Sequence, residues 1–368
     1  MCRIRKAQSS ITCLKAGDRV LEDPDSIKHH IVDYYMNLFS NQRGCQDIGL
    51  VTRTIPSLVT ELENEKLIAL PSHEEVLSAV KGMDSASAPG PDGFNGYFFV
   101  SCWDIVGDEV VAAMQYFFRF GTLPASFNSS LITLIPKVDH ADSIMQFRPI
   151  ALANFVFKII LKIISIRLAP IASRIISPQQ HAFVPGRQIS DCIMSTSECF
   201  NLLDNKYYGG NVAIKVDITK AFDTLSWDFL LSILQAFGFH QVFLGWIKAL
   251  LHSAKLSLLV NDSSEGYFSC GRGVRQGDPL SPLLFCLAEE VLSRGIDNLV
   301  ITGQVHTISS PRGVCVPSHV LFADDVMVFC RGDQRSLNAI IQFFEEYGLN
   351  SGQIINRAKS SVFISKHI

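Results

Sequence analysis

The stretch Ser-His-Val-Leu-Phe-Ala-Asp-Asp-Val-Met-Val-Phe-Cys, from Ser318 to Cys330, decides the fold. Its two short runs rich in Val and Phe are typical of β-strands, and Ala323-Asp324-Asp325 falls where the chain must turn between them. The sequence therefore predicts a β-hairpin with two carboxylates at its tip.

Adjacent carboxylates at such a tip repel one another. At a separation of about 4 Å and an effective dielectric constant near 20, the repulsion is roughly 4 kcal/mol, so a fold that holds both usually supplies a cation. The alternative is a solvated turn, because Asp is a common turn residue. A third acid, Asp217, lies in a similar apolar setting, and three carboxylates at neighbouring strand ends suit divalent cations that also bind phosphates.

The composition bounds the class of protein. With 368 residues, 48% of them hydrophobic and 18% charged, the chain can bury a large core and form two or three subdomains. No apolar run reaches the roughly 18 residues of a membrane span. The ten cysteines include no C-x-x-C pair, which argues against structural zinc and fits a reducing compartment, the nucleus or the cytoplasm. The net charge of −3 means that any nucleic-acid-binding surface must be local or lie on a further part of the protein.

The N-terminal third predicts packing elements without visible chemistry. Ile11 to Ser40 has the pattern of a short strand or turn followed by an amphipathic helix, and residues 41–70 have no regular pattern. Ser72 begins a helix that ends at Gly82. A long amphipathic helix is expected from about Tyr97 to Phe120.

Several basic residues are candidates for contact with phosphates. Lys137 and Arg148 flank a predicted hairpin and could clamp a triphosphate, although each residue taken alone is more typical of an ordinary surface charge. Lys158 and Lys162 are four residues apart on one face of a predicted helix, a spacing that suits contact with a nucleic-acid backbone. Arg187 lies in a loop that suits a template strand or an ordinary connection.

Two further segments have informative patterns. The strand from Asn211 to Ile218 alternates, so that Asp217 is predicted on the face opposite the core residues. The segment from Gly271 to Pro282 is glycine-rich and precedes a predicted helix, and its glycines let the backbone approach a ligand closely. Within it, Arg275 offers a charge and Gln276 offers a hydrogen-bond donor and acceptor.

These motifs occur in the order and rough spacing of palm motifs A, B and C of reverse transcriptases. The version found here resembles that of the LINE-type, non-LTR retrotransposon branch, and especially its plant members. The resemblance runs from about Pro89 to the C-terminus and more weakly back to residue 1. It is carried by Asp217 with Ala221-Phe222, by Arg275-Gln276-Gly277-Asp278-Pro279-Leu280-Ser281-Pro282, and by Phe322-Ala323-Asp324-Asp325.

The resemblance implies an α+β, right-hand polymerase fold with fingers and a palm, the palm being an antiparallel sheet packed on helices. It implies an N-terminal helical connecting segment (1–87), fingers and fingers-palm elements (88–210) and a palm with motifs A to D (211–368). Full-length elements of this kind carry an endonuclease before the polymerase and a thumb after it. The expectation is therefore a fragment that lacks the endonuclease, the thumb and the C-terminal region.

The same resemblance implies roles for individual residues. It assigns two Mg²⁺ ions, with Mn²⁺ as an alternative, to Asp217, Asp324 and Asp325. Lys359 matches the motif D lysine that is thought to protonate the leaving pyrophosphate, and Phe222 matches the ribose gate. Further substrate-binding positions are Lys137, Arg148, Arg275, Gln276 and Gly277, and the nucleic-acid-binding positions are Lys158, Lys162 and Arg187.

The expected function is an RNA-directed DNA polymerase that uses an RNA template, a DNA primer and deoxynucleoside triphosphates, with no membrane partner and an undetermined oligomeric state. One alternative is an RNA-templated RNA polymerase, against which the bulky Phe222 argues. Another is a catalytically inactive or domesticated nucleic-acid-binding remnant of a retrotransposon. Loss of a catalytic acid would favour the inactive remnant, and all three acids are present.

Overall fold

The structure is a computed structural model of the 368-residue chain. It describes residues 10–40, 49–205, 210–308, 310 and 316–365. Helices and β-sheets are both extensive, which confirms the mixed helix-and-sheet class predicted from the sequence. In the part of the chain so described, we find no helix long and apolar enough to cross a membrane.

The regular elements are numbered here in chain order. The strands are β1 (Leu14–Ala16), β2 (Arg19–Leu21), β3 (Ser129–Pro136), β4 (Phe147–Ala153), β5 (Asn211–Asp217), β6 (Lys255–Val260), β7 (Ser263–Ser269), β8 (His319–Phe322), β9 (Asp325–Arg331) and β10 (Ser361–Ile364). The helices are α1 (Pro24–Ser40), α2 (Leu50–Thr54), α3 (Glu61–Ile68), α4 (His73–Lys81), α5 (Gly96–Ser101), α6 (Trp103–Phe120), α7 (Phe155–Ile175), α8 (Ile189–Leu203), α9 (Ala221–Thr224), α10 (Trp227–Phe237), α11 (Gln241–His252), α12 (Ser281–Ile301) and α13 (Gln334–Ser351).

The chain divides into two compact units, each assembled from segments that are distant in sequence. The first unit comprises Met1–Gln42, Leu67–Ile166 and Gly245–Ser281. The second unit comprises Arg43–Lys66, Arg167–Leu244 and Pro282–Ile368. The three-part division along the sequence that the family resemblance implies stays a prediction.

A four-stranded sheet organises the first unit, in the order β4, β3, β6, β7. β3 pairs antiparallel with β4 and parallel with β6, whereas β6 and β7 form an antiparallel pair. Alternation along β6 buries Leu256, Leu258 and Val260 on one face. Ile27 and Ile31, four residues apart on α1, belong to the same core, so a helix stripe closes one face of this sheet.

The second unit contains an antiparallel sheet in the order β10, β5, β9, β8. Val212 and Val216 are buried on one face of β5, as the alternation predicts. Ala213, on the other face, is also buried, because it packs in a cluster with Leu203 of α8. Asp217, at the end of β5, remains partly exposed.

Local signals located several helices correctly. The Ser72 hydroxyl accepts the Glu75 N–H at 3.2 Å, and α4 ends before Gly82 as predicted. α10 has the same kind of N-cap, because the Ser226 hydroxyl accepts the Phe229 N–H, and it ends before Gly238, whose φ of +92° is left-handed.

Two predictions in the N-terminal half are wrong. The long helix expected from Tyr97 to Phe120 is two helices, α5 and α6, which meet at Cys102 with a non-helical backbone. Residues 49–70 are not irregular, since α2 and α3 lie there. Residues 41–48 of that interval lie outside the described residues.

Candidate active site

The predicted hairpin exists, and it lies beside the strand that carries Asp217. β8 and β9 pair antiparallel with Phe322 opposite Asp325, and Asp324 lies in the turn between them. β5 pairs with the other edge of β9, and in that register Asp217 lies directly opposite Asp325. Directly opposed residues on antiparallel strands have Cβ atoms about 4.5 to 5.5 Å apart. The fold therefore gathers all three predicted acids at one end of the antiparallel sheet.

A lysine on β5 lies close to one of these acids. Lys215 lies two residues before Asp217, hence on the same face of β5, and its Nζ is 3.6 Å from Asp325 Oδ1. Both side chains are about half exposed, so the pair contributes little net stability.

The chemistry of the donors fits a divalent metal. Carboxylate oxygens are the ligands that Mg²⁺ and Mn²⁺ prefer, and a cationic group already approaches Asp325. Across the described residues, no three His, Cys, Asp or Glu side chains come close enough to hold a metal ion together. The metal assignment therefore stays a prediction.

The segment that carries Lys359 packs against the backbone of Asp217. The Asn356 N–H donates to the Asp217 carbonyl at 2.8 Å, and the Asp217 N–H donates to the Ser360 hydroxyl at 3.2 Å. Lys359 is exposed in the turn between them, with its N–H on the Asn356 side-chain oxygen at 3.3 Å. The structure thus brings the backbone of Lys359 close to Asp217, whereas its role as a proton donor stays a prediction.

Phe222 is half-buried within an aromatic stack. Its ring stacks on Phe285 with centroids 4.0 Å apart and an interplanar angle of 13°, and Phe183 approaches it edge-on at 6.3 Å. Phe285 is fully buried, so one face of Phe222 is fixed by the core.

The Arg275-Gln276-Gly277 segment belongs to the first unit and is anchored there to β4. The Gln276 carbonyl accepts the Ala151 N–H at 2.8 Å. Gly277 has a φ of +109°, and a Cβ there would lie 2.8 Å from the Ala151 carbonyl oxygen. Glycine is therefore required by both backbone conformation and contact.

Arg275 is largely buried and has internal partners. Its Nε is 2.8 Å from Asp278 Oδ2, and a terminal nitrogen donates to Asn128 Oδ1 at 2.5 Å. Burial raises the pKa of Asp278, and the charges of Arg275 and Lys158 oppose that rise. These contacts organise the loop, and a role of Arg275 in substrate binding stays a prediction.

Lys137 and Arg148 come together at one end of the β3–β4 hairpin. Arg148 lies opposite Ile135 in the strand register, and the Lys137 N–H donates to the Gln146 carbonyl at 2.8 Å just beyond β3. Both side chains are exposed, as a triphosphate clamp requires.

The other predicted basic positions are less exposed than a phosphate-binding stripe would be. Lys158 and Lys162 on α7 are half-buried, and burial lowers the pKa of Lys158 despite the nearby carboxylates of Asp278 and Asp92. The Arg187 guanidinium donates hydrogen bonds to backbone carbonyls within the second unit. Their contact with nucleic acid stays a prediction.

A buried network that the sequence did not reveal adjoins motif A in the second unit. Glu289 Oε1 accepts from the Tyr347 hydroxyl at 3.1 Å and from Gln353 Nε2 at 3.3 Å. Gln353 Nε2 also donates to the Ala221 carbonyl at 3.2 Å. Burial, reinforced by the negative charge of Asp324, raises the pKa of Glu289 to about 8, while the two hydrogen bonds oppose the rise.

Comparison with known proteins shows what the chain is similar to. The family model described as reverse transcriptase (RNA-dependent DNA polymerase) matches residues 135–368. A transposon TX1 uncharacterized 149 kDa protein from Xenopus laevis is 32% identical over 366 residues, covering 96% of this chain and 27% of the relative. The Pol polyprotein of the type-2 retrotransposable element R2DM from Drosophila melanogaster is 28% identical over 294 residues, 76% of this chain and 26% of the relative. An uncharacterized mitochondrial protein from Arabidopsis thaliana is 42% identical over 74 residues, 19% of this chain and 57% of the relative.

The chain spans about a quarter of the length of the first two relatives. The family match covers well over half of the chain and contains Asp217, Asp324 and Asp325 together with the segment around Gly277. By this match, the chain belongs to the reverse transcriptase (RNA-dependent DNA polymerase) family.

Proposed function

We propose that this chain is an RNA-directed DNA polymerase domain that adds deoxynucleotides to a primer 3′ hydroxyl on an RNA template. The observation that carries the proposal is the register of the second sheet, in which Asp217 lies opposite Asp325 with Asp324 beside it. Membership of the reverse transcriptase family and similarity to retrotransposon Pol polyproteins support the same chemistry.

The right-hand assignment is part of this proposal. The antiparallel sheet of the second unit would be the palm, because its end carries the three acids and the segment of Lys359. The β3–β4 hairpin would belong to the fingers, because it presents exposed Lys137 and Arg148 at one end. Two cations on a hairpin can bind the phosphates of an incoming nucleotide.

The catalytic roles follow from the chemistry of the side chains. Asp217, Asp324 and Asp325 would hold two divalent ions, which when bound lower the pKa of the primer hydroxyl and offset charge on the leaving pyrophosphate. Lys359 would donate a proton to that pyrophosphate. The protein contributes mainly by positioning these groups before reaction.

Phe222 supports a DNA-synthesising rather than an RNA-synthesising enzyme. With one face fixed against Phe285, the ring occupies a defined volume within motif A. A fixed aromatic ring beside the sugar would exclude a 2′ hydroxyl sterically.

The partners follow from this activity, and the compartment is inferred from the cysteines. The protein would bind an RNA template, a DNA primer and deoxynucleoside triphosphates. We place it in the nucleus or the cytoplasm, because the seven cysteines that the structure describes are all free thiols, as in a reducing compartment.

The test is a primer-extension assay on a homopolymer RNA template with Mg²⁺, repeated with Mn²⁺ and with a chelator. Metal-dependent incorporation of deoxynucleotides, with ribonucleotides strongly disfavoured, is the expected result. Equal use of ribonucleotides would favour the RNA polymerase alternative. Binding of the primer–template without incorporation under either metal would favour a non-enzymatic nucleic-acid-binding protein.

A further inference from the structure

The turn that carries Asp324 and Asp325 has an unusual backbone for its sequence. Ala323, its first residue, has a φ of +55°, a left-handed conformation that costs a non-glycine residue about 1 kcal/mol or more. Ala323 is also buried, with 6% of its surface exposed. Such a conformation persists only where surrounding groups hold it.

The group that holds it is the side chain of Gln180. Its Oε1 accepts the Ala323 N–H at 3.0 Å, and its Nε2 donates to the Ala323 carbonyl at 3.4 Å. One amide thus binds both backbone polar groups of the residue that precedes the two acids. Gln180 is 143 residues away in sequence and lies in the segment between α7 and α8.

Gln180 is itself fixed on several sides. The side chain is only 1% exposed, and Oε1 accepts a second N–H, that of Ala182, at 3.0 Å. The backbone on either side of Gln180 bonds to Leu321 of β8, since the His181 N–H donates to the Leu321 carbonyl and the Leu321 N–H to the Gln179 carbonyl. Gln180 therefore forms a parallel β-bridge with Leu321, which lies on the strand that leads into the turn.

Arg187 anchors the other side of this loop. Its guanidinium donates to the carbonyls of Gln180 at 2.6 Å, Ser177 at 2.5 Å and Ile176 at 2.8 Å. Burial lowers the pKa of Arg187, as expected for a guanidinium enclosed by backbone. A chain of contacts from Arg187 through Gln180 therefore ends on the backbone of Ala323.

We propose that Gln180 is a positioning residue, whose bonds to Ala323 set the orientation in which Asp324 and Asp325 meet a divalent cation. The inference rests on the proposed function, because it assumes that these acids bind metal. Groups that orient metal ligands without touching the metal typically change metal affinity or activity by about 10-fold to 100-fold when they are removed. A purely structural glutamine would change only the stability of the fold.

The experiment compares Gln180→Met with Asn211→Leu. Met keeps the length of the side chain, but its thioether is only a weak acceptor for the two N–H groups and has no donor for the Ala323 carbonyl. Asn211 is the matched control, because it is also fully buried in the second unit and lies at the far end of β5 from Asp217. Its amide likewise bonds the backbone, at the carbonyls of Leu202, Leu203 and Asn205. Both variants should lower the melting temperature, because each removes hydrogen bonds between a buried side chain and the backbone.

Two readouts separate positioning from stability. The first is Mn²⁺ affinity, measured from the electron paramagnetic resonance signal of free Mn²⁺ without nucleic acid. The second is kcat and KM for a deoxynucleotide in primer extension. We expect Gln180→Met to weaken Mn²⁺ binding by about tenfold and to lower kcat by a similar factor with KM changed less than about twofold. Asn211→Leu should change neither quantity.

The outcomes distinguish the inference from the proposed function. Wild-type Mn²⁺ affinity and kcat in folded Gln180→Met overturn the positioning role but leave the polymerase proposal standing. If the wild type extends no primer, the polymerase proposal fails, and the Mn²⁺ comparison still decides the role of Gln180. A wild type that binds no Mn²⁺ overturns the inference. Should Gln180→Met not fold, Gln180→Asn keeps an amide but is one methylene too short for Ala323, and the same loss of Mn²⁺ affinity is expected.

Discussion

At the scale of single residues, Asp217 is held by its own strand opposite Asp325, so an amide there removes a charge without changing the shape. We predict that Asp217→Asn abolishes primer extension, a loss of at least about a hundredfold, because metal ligation supplies several kcal/mol of transition-state stabilisation. In a chelator the variant should be as stable as the wild type or slightly more so, since carboxylate repulsion is relieved.

The measurements are extension rate and thermal unfolding in a chelator. Asp228→Asn is the matched control, because it makes the same chemical change away from Asp217 and Asp325. Asp228 is exposed in the first turn of α10. It should keep wild-type extension. Wild-type turnover in Asp217→Asn would refute the metal assignment.

Phe222 carries a second prediction at this scale. Phe222→Val should raise the ratio of ribonucleotide to deoxynucleotide incorporation, because a smaller side chain opens the volume that excludes a 2′ hydroxyl. The loss of stacking on Phe285 should also lower stability, by less than the roughly 3 to 5 kcal/mol of a fully buried aromatic. Phe200→Val is the control: Phe200 is equally half-buried and packs on Phe329 and Phe363. An unchanged ratio in folded Phe222→Val rejects the gate.

At the scale of elements, the pairing of β5 with β9 places Lys215 beside Asp325. We predict that Lys215→Met tightens Mn²⁺ binding by at most about fivefold, because the lysine competes for the carboxylate and an exposed pair contributes about 1 kcal/mol or less. Mn²⁺ titration measures the change. Lys248→Met, on α11, removes a positive charge elsewhere and should have no effect. Weaker Mn²⁺ binding in Lys215→Met would mean that the lysine supports the site.

A further prediction concerns the loop before α12, which lies close to strand β4. Gly277→Ala should lower the free energy of unfolding by about 1 to 3 kcal/mol, because its Cβ meets the Ala151 carbonyl and its φ is left-handed. Gly93→Ala is the control for φ alone, since Gly93 has a φ of +78° with no atom within 4 Å of the added Cβ. Chemical denaturation measures both variants. Equal losses would show that the contact with β4 is unimportant.

At the scale of the whole molecule, the buried Glu289 predicts how stability depends on pH. Its folded pKa of about 8 is above the ordinary 4.5, so the unfolded chain loses this proton first as pH rises. The contribution of the protonated carboxyl to the free energy of unfolding is complete below about pH 4.5 and is lost progressively up to about pH 8.

We therefore predict that Glu289→Gln, which keeps the acceptor for Tyr347 and Gln353, flattens this dependence. Relative to the wild type, the variant should gain stability between pH 5 and about pH 8. Denaturation at several pH values in a chelator measures the difference, with exposed Glu345→Gln as control. A parallel pH dependence in Glu289→Gln and wild type would contradict a neutral Glu289.

The sequence by itself determined the elements that local signals specify. The hairpin around Asp324, the strand ending at Asp217 and the caps Ser72 and Gly238 were all predictable, because turn chemistry, alternation and capping act within a few residues. The family motifs also identified the three acids. The break at Cys102 was missed because the apolar pattern continues through it.

Only the tertiary structure decided which groups meet. Three contacts join segments on separate elements. They are the register that places Asp217 opposite Asp325, the hydrogen bonds of the Gln180 amide to Ala323, and the approach of the Lys215 ammonium to Asp325. No local pattern marks them, because a buried glutamine or an outward lysine has the same sequence signature as a surface residue. The partners are selected by strand pairing and by the need of buried backbone groups for hydrogen bonds, and both requirements arise only when the chain is folded.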